Sequence, residues 1–249
     1  MTRLAVVTGA SSGVGLVIAR HLAKRMRVAV LARREDRLRE AFEALDNVSI
    51  HPCDVADLAA LSATLGTIGR THGPIDTLIN NAGIMLKRPL AELGPEDIQR
   101  SFAINVLAPM QAMKSVLPAM RENNFGRIIN VTSGAAFNCF ANFSAYSVSK
   151  AALNALTMTA AREYADSNIK INLMSPGPVR SEMAPDAPMD PEVCLPTADY
   201  LVDLPADGAT GRFFWLGREL PAVPDLPGVQ WLEGEAPARF PVVVRGAQA

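Results

Sequence analysis

The feature that most constrains this chain is an alternation. Six short runs are apolar on both faces: RLAVVT (3–8), RVAVLA (27–32), VSIHP (48–52), DTLIN (76–80), RIINVTS (127–133) and KINLMS (170–175). Strands buried on both sides of a parallel sheet need that composition. Between them lie GVGLVIARHLAKR, EDRLREAFEAL, DLAALSATLGTI and two long stretches, about 95–122 and 145–166, whose apolar residues recur at helical spacing. Strand–helix alternation with right-handed crossovers builds an α/β fold on a doubly wound parallel sheet. A seventh strand is expected near GRFFWLG (211–217).

After Pro176 the pattern changes. Counting Pro176 itself, twelve prolines fall from there to the end, and each fixes φ and removes a backbone donor, so long helices are not expected. The reading is one domain: residues 1–217 carry the cofactor and active sites, and 218–249 form a proline-rich extension of it. That extension holds Leu220, Val223, Leu226, Val229, Trp231, Leu232, Phe240 and Val242–Val244. A solvated linker would be poorer in such groups, so it is expected to pack on the folded body, with Trp231 either helping to close the cleft of its own or a neighbouring subunit or covering a hydrophobic patch away from the cleft.

Composition excludes more than it assigns. A net charge of −1 gives no footprint for nucleic acid or an anionic membrane surface. No apolar run spans a bilayer, and the first one breaks at Thr8-Gly9, unlike a secretory leader. Cys53, Cys139 and Cys194 are odd in number and lack CxxC spacing, so neither a metal site nor a disulfide framework is expected. The default compartment is the reducing cytoplasm. His21, His51 and His72 show no metal spacing and are read as surface or packing residues.

The first strand runs into TGASSGVG, where Gly9, Gly13 and Gly15 punctuate the turn into a helix. Such a turn lets backbone approach a pyrophosphate, and the helix N-terminus adds N–H groups and a positive dipole end. The second strand ends at Ala32 and is followed by Arg33 and Arg34, with no acid where a ribose 2′-hydroxyl would be read. Guanidinium forks suit a 2′-phosphate, so NADP(H) is expected rather than NAD(H), with Arg33, nearest the strand end, as the first choice.

Taken together, Thr8-Gly9-x-x-x-Gly13-x-Gly15, Asp54-Val55, Asn80-Asn81-Ala82-Gly83, Asn105, Ser133, Tyr146-x-x-x-Lys150 and Pro176-Gly177 stand in register. Over about residues 3–217 the chain resembles the short-chain dehydrogenase/reductase family, whose fold is a single Rossmann-type domain. The resemblance implies a catalytic tetrad of Asn105, Ser133, Tyr146 and Lys150. It implies cofactor contacts from Gly9, Ser11, Ser12, Gly13, Val14, Gly15, Arg33, Arg34, Asp54, Val55, Asn81, Ala82, Gly83, Pro176, Gly177, Val179 and Ser181, besides Tyr146 and Lys150. Asp54 would hold the adenine amino group, and Ser181 would reach the carboxamide or phosphates. A homotetramer or homodimer is implied as well.

Four residues separate Tyr146 from Lys150, so a helix puts both on one face. A neighbouring ammonium favours the phenolate and is expected to lower the phenol pKa from near 10. Tyr146 could then exchange a proton with a carbonyl oxygen that Ser133 also hydrogen-bonds. Pro109 lacks the N–H that would bond the carbonyl of residue 105, so either that carbonyl holds a water leading toward Lys150, as the family's proton relay implies, or the proline merely kinks the helix. Phe137, Phe140 and Phe143 either wall a substrate pocket or pack in the core. The expected activity is hydride transfer between a nicotinamide and a carbonyl or secondary alcohol. A reductase of imines or alkenes, or a nucleotide-sensing protein without catalysis, would share the fold.

Overall fold

The computed structural model describes residues 3–222. Its first half alternates β1 (Leu4–Thr8), α1 (Gly13–Leu22), β2 (Arg27–Ala32), α2 (Glu35–Phe42), β3 (Val48–Pro52), α3 (Leu58–His72) and β4 (Thr77–Asn80). Then come α4 (Pro95–Phe102), a π-helical turn (Ala103–Leu107), α5 (Ala108–Glu122), β5 (Gly126–Val131), α6 (Ala135–Asn138) and α7 (Ser144–Glu163). The described chain closes with β6 (Ile169–Ser175), α8 (Leu195–Val202), β7 (Phe213–Trp215) and β8 (Arg218–Leu220). Trp231 and the expected packing of the extension beyond Ala222 lie outside the described residues.

One sheet runs in the order β3-β2-β1-β4-β5-β6-β7-β8. Every pair from β3 to β7 is parallel. Its direction of winding reverses between β1 and β4, so a crevice opens beyond the carboxyl ends of those strands. Apolar side chains leave both faces of the sheet. Val7, Val28, Val30 and Ile129 pack under α1, α2 and α8 through Ile18, Leu38 and Leu201. Val6, Leu31, Leu78 and Ile128 pack under α3 and α5 through Leu61, Leu65, Met113 and Val116. Two-sided burial of this kind is why the strands read as continuous apolar runs rather than alternating ones.

Two expectations need correction. Residues 218–220 are not irregular tail: they pair antiparallel with β7. Leu216 (φ +46°) and Gly217 (φ +74°) both sit in the left-handed region, the conformation that lets a two-residue loop match the twist of a hairpin. The boundary expected at 217 therefore falls inside a hairpin turn. Likewise, 95–122 is not one helix. Ala108 N–H reaches the Ala103 carbonyl five residues back, so the ladder widens into a π-turn beside Pro109, which has no N–H to continue it.

Candidate active site

The glycine turn is built against the end of β4. Thr8 Oγ1 accepts hydrogen bonds from Asn81 N (3.0 Å) and Ala82 N (3.1 Å). The Asn81 amide donates in return to Thr8 O (3.0 Å) and Gly9 O (3.2 Å). Gly9 has φ +67°, and a Cβ on it would stand 2.8 Å from Ala82 Cα. The two motifs therefore interlock through backbone, and only glycine satisfies both the dihedral and the approach.

Arg34 lies across this turn. It is the N-cap of α2, and its guanidinium donates to Ser11 Oγ (3.1 Å) and Ser12 Oγ (3.0 Å). The sequence pointed first to Arg33, but Arg33 is exposed and enters none of these bonds. Arg37 and Glu182, which the sequence reading missed, complete the group: Arg34 and Arg37 both pair with the Glu182 carboxylate.

A second cluster gathers where β5 ends. Tyr146 is 8% exposed and Lys150 4%, both on α7. Ser133 lies just beyond β5 near the Tyr146 phenol, and its Oγ accepts from Ala135 N (3.1 Å). Lys150 Nζ donates to Val131 O (2.8 Å) and lies 5.8 Å from the Tyr146 ring centroid. The electrostatics differ from the expectation. Burial raises the Tyr146 pKa, opposed by the nearby Ser133 hydroxyl. Removal from water dominates because the Lys150 ammonium is turned to a backbone carbonyl rather than to the phenol. The same desolvation pushes Lys150 down from 10.5 to about 8.

Asn105 sits in the π-turn with a side chain closed to solvent. Its Oδ1 accepts from Ile84 N (2.9 Å), and its Nδ2 donates to Ile84 O (2.9 Å) and Ser149 Oγ (2.9 Å). Asn105 thereby ties the loop after β4 to α7. A Cβ on Gly83 would stand 3.2 Å from Asn105 Oδ1 and 3.6 Å from Lys150 Nζ.

The remaining expected residues fall around these clusters. Asp54 Oδ1 accepts from Ala56 N (3.0 Å) at the end of β3, and Val55 shares a narrow crevice with Ala82 and Ile104. Gly177, at φ +92°, packs on Leu216, and Val179 is buried. A Cβ on Gly13 would meet Ser181 Cβ at 3.2 Å, so the segment after β6 reaches back to the glycine turn. The aromatic loop is not core. Phe137 and Phe140 are exposed, while the Phe143 ring stands 6.5 Å from that of Tyr146. The histidines are elsewhere: His21 pairs with Asp199 (2.7 Å), and His51 meets His72 edge-on.

With this geometry in view, residues 3–191 match the family model described as short chain dehydrogenase. The chain belongs to that family. This short-chain dehydrogenase is 37% identical over 192 residues to the 2-(R)-hydroxypropyl-CoM dehydrogenase of Xanthobacter autotrophicus, covering 74% of this chain and 77% of the relative. It is 30% identical over 197 residues to the D-beta-hydroxybutyrate dehydrogenase of Rhizobium meliloti, covering 75% and 76%. Among solved structures, the actinorhodin polyketide ketoreductase with NADPH superposes with a TM-score of 0.81 at 28% identity, over 86% of this chain and 95% of that one. A metagenomic short-chain oxidoreductase in complex with NADP gives 0.77 at 30% identity, over 86% and 96%. Among the described residues of this short-chain dehydrogenase, no helix is long and apolar enough to cross a membrane.

Proposed function

We propose that this oxidoreductase uses NADP(H) and interconverts a carbonyl compound and a secondary alcohol. The observation that carries the reading is the buried Tyr146 phenol, with Ser133 beside it and Lys150 one helical turn away. Three features fit a nicotinamide dinucleotide. A left-handed glycine turn opens α1. Arg34 joins Ser11 and Ser12 beside it. Gly83 leaves open the space toward Asn105 and Lys150 that a Cβ would fill.

When bound, the nicotinamide supplies or takes up the hydride. The protein's own part is proton chemistry and placement. Tyr146 Oη gives a proton to the carbonyl oxygen, or removes one from the alcohol. Ser133 Oγ donates a hydrogen bond to that oxygen and so favours the charge that develops there. Lys150, at about 8, keeps its proton near neutrality and offsets the negative charge left on the phenolate. Asn105 is a positioning residue, holding Ile84 to α7 through Ser149. Phe143 beside Tyr146 gives the reacting oxygen an apolar neighbour and suits a ring-bearing or aliphatic carbonyl. Pairing with a 2′-phosphate is the reading that Arg34 supports, in company with neighbours solved with NADPH and NADP.

The test is Tyr146→Phe, assayed on ketones, aldehydes and secondary alcohols through the absorbance of the reduced nicotinamide. Loss of the transferable proton should cost at least about 100-fold in kcat with NADPH affinity unchanged. Retention of more than about a tenth of kcat would remove Tyr146 as the acid and base.

A further inference from the structure

The segment that follows Pro176-Gly177 is folded as a compact strap. Val179 bridges to Met189 and Ser181 to Ala184. Arg180 N donates to Met189 O (2.8 Å), and the Arg180 side chain pairs with Asp190. At its near end Ser181 lies where a Cβ on Gly13 of the glycine turn would meet it at 3.2 Å, and Glu182 stands beside the first turn of α2. One Glu182 oxygen accepts from Arg34 Nη1 (2.8 Å) and the other from Arg37. The two arginines, first Arg34 and then Arg37, hold the carboxyl below the usual carboxylate range.

Arg34 thus serves two kinds of partner at once: hydroxyls of the glycine turn with Nη2, and an acid from 148 residues away in sequence with Nη1. A carboxylate divided between two guanidinium forks makes the contacts that an oxyanion with several acceptor oxygens would make there. Glu35, the nearest acid on α2, is drawn to Arg39 instead (2.6 Å).

We infer that Glu182 is a specificity-determining residue: an internal carboxylate that stands in for the cofactor's 2′-phosphate at Arg34 and Arg37 and must be displaced by it. The inference rests on the NADP(H) reading above. A 2′-phosphate is the stronger competitor, carrying more than one negative charge and three acceptor oxygens. It gains the arginines only as they lose Glu182, so the native acid reduces discrimination against a cofactor that has a bare 2′-hydroxyl. Because Glu182 sits on the strap, displacement also removes the ion pairs that tie this segment to Arg34 and Arg37. Phosphate recognition at α2 is thereby coupled to the segment that follows Pro176-Gly177.

The experiment measures dissociation constants for NADPH and NADH by nicotinamide fluorescence on the full chain, wild type beside Glu182→Gln and Arg34→Ala. Glu182→Gln should bind NADPH about three- to ten-fold tighter, the scale of two exposed ion pairs, with NADH within about two-fold of wild type. Equal gains for both cofactors, or no gain for NADPH, would overturn the role of Glu182. Failure of the underlying reading looks different: wild type would not prefer NADPH, and Arg34→Ala would leave the ratio of the two constants where it was.

Discussion

Replacing Lys150 with methionine should inactivate the protein and change the pH dependence of its folding in a defined direction. The side chain is buried, with its ammonium on Val131 O at 2.8 Å. Its pKa falls from 10.5 to about 8 through desolvation. A base depressed in the folded state costs stability wherever only the unfolded chain holds it comfortably protonated. The cost is complete below the folded value and disappears as pH climbs from about 8 toward 10.5. The gap between those two values corresponds to about 3 kcal/mol. Methionine removes that penalty but forfeits the hydrogen bond and strands the Val131 carbonyl, about 1–2 kcal/mol in the other direction. At pH 7 the variant should therefore be about 1–2 kcal/mol more stable than wild type. Between pH 7 and pH 9.5 wild type should gain about 2 kcal/mol relative to it. Urea unfolding followed by tryptophan fluorescence, at one protein concentration so that assembly is held constant, gives both differences. A gap between wild type and Lys150→Met that does not move over that range would show that Lys150 titrates as an ordinary surface lysine, and the desolvation argument would fail.

Gly9→Ala should destabilise the fold by about 2 kcal/mol or more, because a side chain is strained at positive φ and meets Ala82 backbone. Thermal melting reads the loss, and a variant that melts like wild type would refute the interlock of the two motifs. Val148 on α7 and Leu107 beside α5 are exposed large apolar groups, so a homodimer or homotetramer built on these helices is expected. Sedimentation showing only monomer at micromolar protein would refute it.

Legibility from sequence followed the range of the interactions involved. The bounds of β2 and β3 agree with the expected runs residue for residue: burial on both faces leaves an uninterrupted apolar signal in β2, whereas β3, half-buried at the sheet edge, is marked by Val48 and Ile50 in alternation with polar residues. That Tyr146 and Lys150 share a helix face was legible from their spacing, while Ser133 joined them only through the family resemblance. What escaped depends on side-chain direction or on distant partners. Whether Arg33 or Arg34 meets the glycine turn is decided by how the chain enters α2, and no local propensity encodes that. Glu182 is remote in sequence from both arginines it joins. The fall in Lys150 and the rise in Tyr146 come from how completely neighbouring elements exclude water, a property of the assembled fold. Pro109 signalled a broken helix, but a π-turn and a kink leave the same mark in the sequence. Leu216 in the left-handed region has no sequence warning at all, which is why β8 was read as tail.

That hairpin has a consequence for how copies of the protein can meet. A parallel sheet normally ends in a strand whose outer N–H and C=O groups face solvent and invite another chain to continue the ladder. Here β8 takes those groups of β7 for itself. It offers in their place a rim only three residues long, with Arg218 and Glu219 both exposed. Short charged borders of this kind are poor templates for sheet growth. At this border Phe213–Trp215 is closed to a second copy as a direct pairing partner, so any assembly that buries this side of the molecule has to do so through side chains and not through shared backbone hydrogen bonds to β7.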